Sequence, residues 1–222
     1  NSPTTIVESK FFDFLKNEDY HTCNYITKSH YYLDSTINRC YGSDIHFFFV
    51  QRDIKDAIVS HFHHLKMKYF FIRSFNFYYF LIGRLKAFEI LTFNSKYRQA
   101  FGDKNFFQYV DMKTDFESVV LTISSRLGLK ILSKEEIAIV KENTSIKKMR
   151  NDLLSGKAKY YSTVNKNRDS LIRKGQVGDW VHYFNDRQTK DIKRINLNKK
   201  LFFLRIFYFI LFSLRRRIFR IE

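Results

Sequence analysis

Residues 50–60, Val-Gln-Arg-Asp-Ile-Lys-Asp-Ala-Ile-Val-Ser, set an arginine at the end of an apolar run and a serine eight residues on. An arginine offers a planar fork for phosphate oxygens, and a serine adds a hydroxyl donor. In open α/β sheets, ligands collect beyond the carboxyl ends of strands, where Arg52 falls. A second basic cluster, Arg173-Lys174-Gly175, lies more than a hundred residues further on. Its glycine would let backbone N–H groups approach an anion closely. Together the clusters predict one phosphate held from two sides by Arg52, Ser60, Arg173, Lys174 and Gly175. Singly, either is as readily surface charge, since an arginine at a strand end more often makes an ion pair.

The elements that must position these residues are legible in outline. Residues 23–27 read as a short strand. Residues 45–50, Ile-His-Phe-Phe-Phe-Val, read as a strand buried on both faces of a parallel sheet. Asp53 then caps a helix, with Asp56 in its first turn and Ala57, Ile58, Phe62 and Leu65 on its apolar face. Residues 70–91 are aromatic-rich and helical, with poor periodicity. Residues 106–110 predict another buried strand, and 116–127 an amphipathic helix stopped by Gly128. Ser133-Lys-Glu-Glu136 is a capping box, and a further short helix follows Thr144. Alternating strands and helices predict an α/β fold with a parallel sheet.

Composition agrees and narrows the partners. The 222 residues are 45% hydrophobic and 18% aromatic, with 25 Phe and 14 Tyr, enough for a core. One Pro and seven Gly exclude collagen-like and low-complexity classes. The net charge of +17 predicts anionic partners: a nucleotide, nucleic acid, a sulfated or phosphorylated substrate, or an acidic membrane face. Cys23 and Cys40 make no disulfide framework or metal spacing, and weakly favour a reducing compartment. His61 and His64 would share a helix face, with His63 and His46 nearby, but no third metal ligand is evident. Histidines lining a cleft or a solvated face are the favoured reading there, and no metal is expected. The aromatic run 69–80 reads as buried helix, with base stacking beside a basic patch as the alternative. Residues 201–214 are apolar except for Arg205 and Ser213, and four arginines follow. This run is shorter than the about 20 residues of a membrane span. It suits either a terminal core helix or a segment lying on an acidic membrane.

At four segments, in order, the chain resembles the sulfotransferases that use 3′-phosphoadenosine 5′-phosphosulfate (PAPS). Thr27-Lys28-Ser29-His30 is similar to the family's Lys-Thr/Ser-His motif. Residues 50–60 are similar to Arg-(Asn/Asp)-Pro-(Lys/Arg)-Asp-x-x-x-Ser, with Ile54 in place of the proline. Residues 132–137 and 144–149 resemble Leu-Ser-Glu-Glu-Glu-Ile and Thr-Ser-Phe-x-x-Met. Arg173-Lys-Gly-Gln-Val-Gly-Asp-Trp180 resembles Arg-Lys-Gly-x-x-Gly-Asp-Trp and is the most specific. Tyr109-Val-Asp-Met-Lys113 is similar to a fifth, shorter segment. The resemblance runs over about residues 25 to 190.

It implies a three-layer fold similar to nucleotide kinases, with a central parallel sheet, in a domain of residues 1–200 followed by a 201–222 tail. It implies sulfuryl transfer from PAPS to a hydroxyl or amine, without a metal. Arg52, Ser60, Arg173, Lys174 and Gly175 would take the 3′-phosphate, and Tyr109 and Thr144 the adenine. Ile146 and Leu171 stand where the family has aromatics against the base, so stacking should be weaker. His30 would be the general base and Lys28 would lie near the transferring sulfuryl group. Trp180 is expected in the core and Asp179 to pair or cap nearby. Val181 and Asn185 depart from the family's dimerisation segment.

The chain begins at Asn1, and residues 1–5 lack the Gly and Lys of the family's phosphate loop. The expectation is a sulfotransferase sequence with its first strand and phosphate loop missing, leaving a gap in the sheet. An inactive relative, or a basic protein of nucleotide, nucleic-acid or membrane surfaces, is the alternative, with nucleic acid the less favoured partner. A cytoplasmic location is expected, with membrane association as the alternative. The acceptor class stays open among sugars, lipids, phenols and protein tyrosines.

Overall fold

A computed structural model describes residues 4–6, 25–27, 46–155 and 174–197. The chain forms two compact units, Asn1–Ile45 and His46–Glu222. In the first, β1 (Thr4–Ile6) and β2 (Tyr25–Thr27) pair in parallel, Thr4 opposite Tyr25 and Ile6 opposite Thr27. β2 falls within the expected strand. β1 is not among the strands expected from the sequence.

The second unit holds β3 (Phe49–Gln51) and β4 (Phe106–Gln108), also parallel, with Phe49 opposite Phe106 and Gln51 opposite Gln108. A parallel pair needs a long crossover. Here it is helical: α1 (Ile54–Lys68), α2 (Phe75–Tyr78), a π-helical turn (Tyr79–Gly83) and α3 (Arg84–Phe101). The architecture is α/β, as expected, though the described strands form two separate pairs. Burial of β3 on both faces is corrected. The Phe49 ring lies 4.8 Å from Phe106 and 5.1 Å from Tyr97 of α3. Val50, pointing to the opposite face, is 57% exposed.

The core is helical instead. Ile58, Phe62 and Leu65 of α1 are buried against Phe75, Tyr78, Tyr79, Ala87 and Phe88. Ile192 and Ile195 of α8 (Asp186–Leu197) close it, with Phe184 just before. The π turn explains the poor periodicity. One extra residue in the turn rotates the face, so adjacent Tyr78 and Tyr79 are both buried while Phe77 and Phe80 are exposed. Gly83 ends it because a Cβ there would sit 3.1 Å from the Tyr79 ring and 3.2 Å from that of Tyr78. α8 is tied to the turn by polar contacts. The Tyr79 hydroxyl donates to Asp191 at 2.9 Å, and Arg84 Nε pairs with the same carboxylate at 2.7 Å. Burial raises the Tyr79 phenol well above its ordinary range, and the bond to Asp191 and its charge add to this against Arg84.

Among the described residues, β4 is followed by α4 (Asp111–Thr114), α5 (Phe116–Arg126), α6 (Lys134–Asn143) and α7 (Ile146–Leu154), ahead of α8. Their ends obey the expected signals. Gly128 adopts φ +63° just past α5. Ser133 and Glu136 complete the capping box, and Ser145 caps α7. No helix among the described residues is long and apolar enough to cross a membrane. The 201–222 tail lies outside them.

Candidate functional site

Arg52 leaves the end of β3 one residue before the Asp53 cap of α1, so strand and cap together aim its side chain. Its Nη2 donates to the Gln176 carbonyl at 2.7 Å. Its guanidinium carbon lies 4.8 Å from the centre of the Tyr109 ring. Tyr109 is placed by the ladder, since its N–H donates to the Gln51 carbonyl at 2.7 Å. The Tyr109 hydroxyl donates to the Gly175 carbonyl at 3.1 Å. Two side chains from the ends of the two strands therefore hold successive carbonyls, 175 and 176, of the expected anion loop.

Gly175 takes φ +61°, a conformation that L side chains rarely adopt. A Cβ there would run into Ile146 Cδ1 and lie 3.3 Å from the Tyr109 hydroxyl. Ile146, the first residue of α7, thus packs where the loop has no side chain. Lys174 is exposed, and its ammonium pairs with the buried Asp179 at 3.6 Å.

Asp56 fastens the same loop. Its Oδ2 accepts from Gly178 N–H at 2.7 Å and its Oδ1 from Trp180 N–H at 3.1 Å. The residue is only 1% exposed. Beside it, Lys55 Nζ lies 2.9 Å from the centre of the Trp180 ring, and Trp180 packs on the helical core. The sequence gives Asp56 a favourable charge in a first helical turn and a place in the 50–60 motif, but no partner. Its link to a loop 122 residues away has no local signal.

Of the expected site residues, Arg52, Tyr109 and Gly175 come together, with Lys174 adjoining through the loop. Ser60 lies on the exposed side of α1, next to buried Ile58 and Val59. The Thr144 hydroxyl donates to the Val140 carbonyl at 2.8 Å, at the end of α6 and two residues before Ile146. Lys28, His30, Leu171 and Arg173 lie outside the described residues. Two of the clustered histidines meet tyrosines: His61 Nδ1 is 2.7 Å from the Tyr78 hydroxyl, and His63 Nε2 is 2.8 Å from that of Tyr183. The aromatic run 69–80 is divided, with Tyr78 and Tyr79 in the core and Phe70 and Phe80 exposed.

One polar atom at the site is orphaned. Arg52 Nε is buried with no hydrogen-bond acceptor among the described residues, although Nη2 is engaged. A buried guanidinium N–H without an acceptor fits an anion binding beside it.

Residues 15–201 match the family model for the sulfotransferase domain. Over 97 residues the chain is 34% identical to amine sulfotransferase of Oryctolagus cuniculus, covering 40% of this chain and 31% of that protein. Over 91 residues it is 32% identical to 3-beta-hydroxysteroid sulfotransferase of Cavia porcellus, covering 41% and 31%. It thus spans about a third of the length of these curated relatives. Mouse sulfotransferase SULT7A1 complexed with PAP has a similar structure, with a TM-score of 0.65 at 20% identity over 94% of this chain and 79% of that one. Retinol dehydratase in complex with androsterone and inactive cofactor PAP gives 0.61 at 21%, over 84% and 56%. These likenesses establish the fold.

Proposed function

This chain belongs to the sulfotransferase domain family, and we propose that it serves transfer of a sulfuryl group from PAPS to a hydroxyl or amine acceptor. The observation that carries the reading is the Arg52 to Gln176 hydrogen bond. It joins the strand–helix motif to the Arg-Lys-Gly loop, the two segments whose chemistry suits one phosphate. The orphaned Arg52 Nε supports an anion there.

In this reading Arg52, Ser60, Arg173, Lys174 and the Gly175 backbone bind the 3′-phosphate, which distinguishes the donor from ordinary adenine nucleotides. Tyr109 and Thr144 border the adenine. His30 takes the proton from the acceptor as its oxygen or nitrogen bonds to sulfur, and an unperturbed imidazole is largely neutral at pH 7 and ready to do so. Lys28 offsets the negative charge that builds between sulfur and the leaving phosphate. Relatives named for an amine and for a 3β-hydroxysteroid support an N–H or O–H acceptor.

The test is calorimetric. Adenosine 3′,5′-bisphosphate should bind much more tightly than adenosine 5′-monophosphate. Arg52→Ala should remove about 100-fold of that preference, the scale of hydrogen bonds from a charged donor. Equal affinity for the two nucleotides in the unmodified protein overturns the phosphate pocket. Binding that instead collapses with salt, whatever the nucleotide, is the behaviour of a merely basic surface.

A further inference from the structure

We propose that Asp56 is a positioning residue for the 3′-phosphate: its carboxylate holds the 174–180 loop in the shape that lets Gly175 and its neighbours face the anion. The proposal rests on the phosphate-pocket reading above and deepens it. The geometry is specific. Both oxygens are used, each on a different backbone N–H of the loop, Gly178 at 2.7 Å and Trp180 at 3.1 Å. The carboxylate is shut away from water at 1% exposure, so those bonds are not exchanged for solvent. Asp56 sits in the first turn of α1, four residues after Arg52 in the short connection from β3. The β3–α1 junction thereby grips the loop at two points: Arg52 on the Gln176 carbonyl and Asp56 on the amides of Gly178 and Trp180.

The loop needs such a hold because two of its residues are in the left-handed region, Gly175 at φ +61° and Gly178 at φ +84°. Glycine tolerates these angles but does not enforce them. Both Asp56 oxygens are occupied by loop amides, so its action on the anion runs through the loop. A like charge near a phosphate would oppose binding, so a residue that merely lined the pocket would not be an aspartate. Satisfied by two amides, this carboxylate serves to fix the loop.

The experiment measures one ratio, the affinity for adenosine 3′,5′-bisphosphate over that for adenosine 5′-monophosphate, on the full chain. Asp56→Asn keeps the shape but turns an N–H₂ group toward one of the two loop amides. It should lower the ratio by about 10-fold, the scale of one lost charge-assisted bond, with monophosphate affinity unchanged. An unchanged ratio, or equal weakening of both nucleotides, overturns the proposal and leaves Asp56 a structural residue. If Asp56→Asn does not fold, the same ratio is read on Asp56→Glu, which keeps the charge and moves the oxygens by one methylene. A lowered ratio there supports the role and an unchanged one overturns it. Arg52→Ala separates the two readings. If it abolishes the preference while the Asp56 variants keep it, the pocket stands and the positioning role falls. If the unmodified protein shows no preference, both fall together.

Discussion

From Phe116 to Leu154, each helix start is set by a side chain three residues from its partner. Asp115 accepts from Ser118, Ser133 from Glu136 and Ser145 from Lys148, at 3.1 to 3.4 Å. Where α1 meets residues 174–180, the partners are 122 to 124 residues apart. The first region stays open to solvent, with Leu129, Ile131, Ile139 and Leu154 more than half exposed. The second buries a carboxylate completely. Local caps recover backbone groups that water would otherwise satisfy, so each contributes modestly and independently. The distant bonds hold a loop that no local preference would shape.

The contrast is most directly broken at Gly175. Gly175→Ala forces a side chain into φ +61° and against Ile146. The backbone strain alone is about 1–2 kcal/mol. Affinity for adenosine 3′,5′-bisphosphate should fall about 10-fold or more on this scale. The double variant with Ile146→Ala should recover only the steric part. Full recovery in calorimetry would show that crowding, not backbone conformation, is what glycine avoids.

A smaller effect is expected in the locally built region. Ser133→Ala removes half of the capping box and should cost about 1 kcal/mol in a urea melt. Nucleotide affinity should not move. A loss of affinity from this change would mean that the two regions are coupled and the contrast is false.

A comparable effect at Tyr79 sharpens the contrast, because its bond to Asp191 also spans 112 residues. Folding raises the phenol's pKa, chiefly by burial, so the neutral form is the one that the fold favours. Its contribution is therefore complete below about pH 10, the ordinary tyrosine value, and is lost as pH rises beyond that. Tyr79→Phe should be less stable by about 1 kcal/mol at neutral pH. That gap should narrow in urea melts above pH 10. A constant gap across the range would show that Tyr79 does not titrate with unfolding. The sign is opposite for Glu136, whose bonds from Lys130 and the Ser133 amide lower its pKa, so its small contribution fades on acidification.

The locally encoded parts were legible from residue types alone. Ser133 with Glu136, Gly128, and Asp53 before an apolar stripe each announce a helix end, because capping needs only a few neighbouring atoms. Arg52 at a strand end and Gly175 after two cations were readable as anion-binding candidates for the same reason: the chemistry resides in the residue type. Tertiary structure alone decided the rest. Only packing made Asp56 a clamp on Gly178 and Trp180, exposed Val50 on one face of β3, and put the register shift of Tyr79–Gly83 where both tyrosines could be buried. Those outcomes depend on which segments meet across tens of residues or, for Asp56, more than a hundred. A hydrogen bond or a buried ring has no partner until the chain has closed that distance.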